Sequence, residues 1–292
     1  MLKIQSSADA KNFAIQATSG HLSHDLAIER LESFRGYLAR SDDEQHQRTW
    51  QSEIDALEKW LSSEDYKNGS YPQGIDGLIL ELVEWRATFY AFQLVETARS
   101  PFKDYVFYQQ WLIGGAYCMF SLLGKLTGKS RRENSLRNLW KQIAKFVGED
   151  GACMKAELDY IEKQLNKISG QFTKENSKAI LFRHTVIAHN ENSIQISWDE
   201  IDNDVHTLIR IWSLVVSWSS FGILYPFRSS EQAFEGLESM FSPNELISLK
   251  ARRSDYINRA VGWSQTHLHD GQLDVGRGPF VELSMVSKTH SE

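Results

Sequence analysis

Ser197-Trp198-Asp199-Glu200 opens the stretch that decides the fold, and the chain continues through Ile201, Val205, Leu208 and Trp212 to Val215-Val216. The first four residues have the capping-box pattern, in which the serine hydroxyl accepts from the third amide and the glutamate reaches back. Trp198, Ile201, Val205, Leu208, Trp212, Val215 and Val216 then recur mostly at three- and four-residue intervals. That spacing predicts one long helix with a wide apolar stripe.

The same signals extend in both directions. Upstream, Thr173 precedes a helix carrying Arg183 and His189, and Ser169-Gly170 stops a helix over residues 152–168. Ser130-Arg131-Arg132-Glu133 is another capping-box pattern and predicts a helix from there to about residue 147. Apolar helices are expected over 104–126 and over 77–98, the latter ending before Ser100-Pro101. Residues 66–74 (YKNGSYPQG) form a concentrated breaker segment. Before it, Leu26, Leu31, Phe34 and Leu38, then Trp50, Ile54, Leu57 and Leu61, predict a helical pair. Downstream, Ser242-Pro243-Asn244-Glu245 starts a helix reaching about residue 263. A polar remainder follows, read either as a tail or as a hairpin around Gly276-Arg277-Gly278-Pro279. The expectation is an all-α protein in three parts: an N-terminal helical extension (1–73), a helical bundle (74–227) and a C-terminal helix with a polar tail or hairpin (228–292).

Composition narrows the function classes. With 41% hydrophobic and 24% charged residues over 292 positions, the chain is globular. A net charge of −6 argues against coating nucleic acid through bulk positive charge, but leaves room for a locally basic site. Cys118 and Cys153 have no metal-ligand spacing, and with no signal peptide they point to a reducing cytoplasm. The apolar runs 111–124 and 211–227 are shorter than the roughly 20 residues a membrane span needs, and the second carries four serines. Both read as core helices, so no membrane partner is expected.

Phe182-Arg183-His184-Thr185-Val186-Ile187-Ala188-His189-Asn190 is the candidate active segment. Cleaving RNA by attack of a ribose 2′-hydroxyl needs a proton carrier near neutrality, the natural role of histidine. It also needs a fixed cation beside the phosphorane, which a guanidinium supplies with matching fork geometry. On an ideal helix Arg183 and His189, six apart, lie about 120° from each other, and one helix offers only one of each. Two copies about a twofold axis would bring two sets into one groove. The spacing is not specific, because Arg40 and His46 repeat it among Asp42, Asp43 and Glu44, which would repel a phosphate. The plain alternative is that Arg183 pairs with a neighbouring carboxylate while His189 caps a helix C-terminus.

The Arg183–Asn190 segment resembles the signature of the HEPN superfamily: Arg, a polar residue, a few residues, then His. Its Ala-His-Asn ending is similar to the abortive-infection (Abi U-type) branch. So are residues 120–126 (FSLLGKL) and 134–140 (NSLRNLW) upstream. The resemblance covers about residues 77–220. It implies a HEPN-like bundle, a homodimer, and metal-independent endoribonuclease activity without a cofactor, in antiviral defence or as a toxin. By position, Arg183 would stabilise the phosphate, His189 would be the general acid or base, His184 would assist, and Asn190 would be a weaker contributor. An antitoxin or sensor protein would be a further partner. Silencing by nucleotidylation of a tyrosine two positions past the His has no counterpart, because Glu191 stands there.

Lys125, Lys129, Arg131, Arg132, Arg137 and Lys141 read either as a track guiding RNA or as a solvated helix face. His267-Leu268-His269-Asp270 offers two imidazoles and a carboxylate, but a closed metal site needs more ligands fixed in space, and no metal is assigned. The tryptophans at 198, 212 and 218 read as core.

Overall fold

The computed structural model describes residues 4–19, 24–68, 74–94, 106–130, 133–188, 195–220 and 233–274. Among them the chain is all-α, with one isolated antiparallel bridge, Thr266 to Leu273, and no strand. The helices are α1 (Ser7–Ser19), α2 (His24–Arg40), α3 (Glu44–Ser62), α4 (Glu64–Lys67), α5 (Ile75–Leu94), α6 (Val106–Leu126), α7 (Leu136–Glu149), α8 (Lys155–Gln164), α9 (Lys178–Phe182), α10 (Trp198–Ser220) and α11 (Pro243–Ser264). Between α9 and α10 lies a π turn, Arg183–Ala188.

Helix α10 runs through the middle of the bundle and packs against α1, α5, α7, α9 and α11. Its stripe is buried as expected, with Val205, Leu208, Ile209, Ile211, Trp212 and Val215 all fully covered. Because helices surround it on several sides, polar groups of α10 are buried too, and Asp202, Arg210 and Trp212 find partners on other elements. Arg86 on α5 makes a bidentate pair with Asp202 at 2.8 Å, and Tyr256 on α11 donates to the same carboxylate at 2.7 Å. Trp212 Nε1 donates to Asp76 at 2.7 Å. Such pairs fix the register between helices, since a buried charge without its partner is strongly unfavourable.

Helices α2 and α3 form a hairpin with its own small core of Leu31, Phe34, Trp50, Ile54 and Leu57. Helix α1 instead buries Ala10, Ala14 and Ala17 in the main core, against α5, α7 and α10. Among the described residues no helix is long and apolar enough to cross a membrane.

The capping box at Ser197–Glu200 forms as read, and the helix start at Ser242–Glu245 is a capping box as well. The one at Ser130–Glu133 does not start a helix. Glu133 accepts from the Ser130 amide and lies over Gly128, closing a turn. Ser135 caps α7 instead, accepting from the Asn138 amide at 3.2 Å. The Asn138 side chain bonds the carbonyls of Ser130 and Glu133 and holds that turn outside the helix. The suggested hairpin beyond residue 274 lies outside the described residues.

Candidate active site

The candidate segment is anchored at its start. Ser177 caps α9 by accepting from the Ile180 amide, and its hydroxyl donates to Asp204 at 2.5 Å. The other Asp204 oxygen accepts from Gln171 at 2.8 Å. Burial pushes the Asp204 carboxyl up to about 6, and the two donors only partly offset that. Ala179 is buried and the Phe182 ring lies 4.8 Å from that of Phe120 on α6, so α9 is held against α6 and α10.

From Arg183 the helix widens. A π turn closes on the fifth residue rather than the fourth, so each residue contributes less rotation than in an α-helix. The 120° read from an ideal helix therefore does not describe this segment. Single π turns of this kind recur at functional sites.

Arg183 is exposed, and its side chain lies across Gly124 of α6. A Cβ at position 124 would overlap Arg183 Nε and fall 2.5 Å from Cζ. Glycine there gives the guanidinium a seat on the helix backbone, beside exposed Lys125. Among the described residues Arg183 has no hydrogen-bond or ion-pair partner, so the pairing with a carboxylate considered above is not formed within them. His184 is half-buried. His189 and Asn190 lie outside the described residues.

One member of the basic stretch turns inward. Lys125, Lys129 and Lys141 are exposed, and Arg131 and Arg132 lie outside the described residues. Arg137 is a correction: it is 3% exposed on the inward face of α7, and its guanidinium donates to the Phe172 carbonyl at 3.2 Å. Its task is to fasten α7 to the segment before α9, and burial pushes its pKa down. The second Arg/His pair is split between two helices rather than lying in a connector: Arg40 ends α2 and bonds the Gly36 carbonyl, and His46, in the first turn of α3, sits 3.7 Å from Asp43.

The two histidines weighed as metal ligands meet a third group that the sequence did not point to. Glu157 of α8, His267 and His269 each place a ligand atom within 4.8 Å of the others. Arg210 of α10 makes a bidentate pair with Glu157 at 2.8 and 3.0 Å. Burial pushes the Glu157 carboxyl up, but Arg210 and His267 outweigh it and hold it below the ordinary range. Only the two histidines were visible as candidates, since Glu157 lies 110 residues from His267.

No protein family, curated protein or solved structure matches this chain.

Proposed function

We propose that the chain is a metal-independent endoribonuclease of the HEPN type, working as a cytoplasmic homodimer in antiviral defence or as a toxin. The observation that carries this reading is the seating of Arg183. An exposed guanidinium, without a partner among the described residues, rests on Gly124 at the start of a π turn that leads directly to His189. A free cation held on a rigid helix is what a developing phosphorane requires. His189 then takes or gives the proton, the 2′-hydroxyl attacks phosphorus, and the 5′-oxygen leaves. The products carry a 2′,3′-cyclic phosphate and a 5′-hydroxyl.

The test is incubation of purified protein with total RNA in chelator, beside His189→Ala and Arg183→Ala. Each substitution should lower cleavage by roughly 10²- to 10⁴-fold, the usual effect of losing a general base or a positioned cation. Cleavage by His189→Ala at the wild-type rate ends the assignment.

The burial of Arg137 favours a second reading, a non-catalytic module for a nucleotide or a partner protein, because it thins the basic surface a long RNA would follow. In that case no RNA is cut by the wild type, and Arg183→Ala loses binding instead.

A further inference from the structure

The charges around Arg210 do not balance among the described residues. Its fully buried guanidinium donates to both oxygens of Glu157, to the Ser264 carbonyl at 2.9 Å and to Asp274 at 2.9 Å. Asp270 stands at the rim, 2.8 Å from His269. Against the guanidinium stand two covered carboxylates, Glu157 and Asp274, so one negative charge remains when both imidazoles are neutral, and exposed Asp270 adds a second at the rim. Burying such an excess is unfavourable unless something positive joins it.

The two imidazoles show where that charge belongs. His267 Nδ1 lies 2.5 Å from Glu157 Oε2, a hydrogen bond that holds one proton between them. His269 Nε2 faces the Asp270 carboxylate, which fixes the proton on that nitrogen and leaves Nδ1 as a lone pair. His269 Nδ1 is buried and has no hydrogen-bond partner among the described residues. A buried lone pair with nothing to accept from, oriented by a carboxylate behind the ring, is the arrangement of a metal-ligating histidine.

We propose that Glu157, His267 and His269 bind one divalent transition-metal ion of zinc's class, with Arg210 and Asp270 orienting the ligands from behind. Two imidazoles and a carboxylate suit zinc better than calcium or magnesium, which prefer all-oxygen sets. Each carboxylate oxygen has two lone pairs, so Glu157 Oε2 can keep Arg210 and still meet the ion. The ion takes the place of the proton shared by Glu157 and His267. That proton moves to His267 Nε2, which faces Asp274 at 4.0 Å, and the pair opens to the separation of two ligands each about 2.0–2.2 Å from the metal. Water fills the remaining position. The ion fastens the polar segment after α11, closed by the Thr266–Leu273 bridge, onto α8 and α10. No residue is shared with the Arg183 site, so RNA cleavage and metal binding succeed or fail separately.

The test uses the full chain, stripped with chelator and titrated with Zn²⁺ alone by calorimetry in two buffers of different ionisation heat. A parallel Co²⁺ titration reads the visible absorption of an imidazole-bound ion. One ion per chain should bind with no net proton release and raise the melting temperature. Since Glu157→Gln strips Arg210 of its partner and endangers the fold, the decisive variants are His269→Gln and Asp270→Asn. His269→Gln should lose at least about 100-fold in affinity and its melting response to zinc, while its metal-free melting temperature matches that of the metal-free wild type. Asp270→Asn should lose about 10- to 100-fold. Absence of stoichiometric binding, or equal binding by wild type and His269→Gln, overturns the proposal.

Discussion

Arg183 crosses helix α6 directly above Gly124, so closely that any larger side chain at 124 would displace it. Alanine is a better helix former than glycine by about 1 kcal/mol in a helix interior. Gly124→Ala should therefore leave the melting temperature level or slightly raised while moving the guanidinium. RNA cleavage should fall at least about tenfold. Full activity in a folded Gly124→Ala protein would show that the seat of Arg183 has no functional weight.

Arg183→Lys separates charge from shape. Lysine keeps a positive charge but offers a compact ammonium rather than a planar fork. If the guanidinium grips two phosphate oxygens, the lysine variant should recover only a small part of the activity lost in Arg183→Ala. The check is a single-turnover rate on a defined RNA. Circular dichroism should be unchanged, since the side chain is exposed.

Asp204 gives the fold a measurable response to pH. Its folded value of about 6 lies above the ordinary 3.8, so the folded chain holds this proton more tightly than the unfolded one. The stabilisation is complete below about pH 4 and disappears as pH rises through about 6. A shift of about 2 units corresponds to roughly 3 kcal/mol. Asn cannot titrate, so the stability difference between wild type and Asp204→Asn should shift in favour of the variant by up to that amount between pH 4 and pH 7. Urea unfolding at several pH values measures it, and a constant difference would contradict it.

The Arg86–Asp202 pair should behave as a buried pair. Asp202→Ala leaves Arg86, 2% exposed, without its carboxylate and removes the acceptor of Tyr256. The expected cost is about 3–5 kcal/mol, and replacing both partners with apolar residues should recover much of it. Denaturant midpoints of the single and double variants decide between them.

Much of the helical architecture was legible because it is written in local signals. The apolar stripe of α10 and the boxes at Ser197 and Ser242 depend only on residues within a few positions of each other. The box at Ser130 misled for the same reason: its four residues suit a tight turn as well as a helix start, and Gly128 and Asn138 decide between them. Helix α1 escaped notice because its buried face is alanine, a weak hydrophobic signal that matters only once neighbours close over it. The inward turn of Arg137, the Glu157–Arg210 pair and the seat at Gly124 are long-range facts. They depend on which helices meet, and residue types alone do not state that.

The widened turn at Arg183–Ala188 amounts to one residue inserted into a helix. A wider turn takes up an extra residue within itself, so the insertion costs the helix axis little of its direction. What the extra residue changes is local: the angular spacing between Arg183 and its neighbours inside the turn, which is set by chain length rather than by side-chain chemistry.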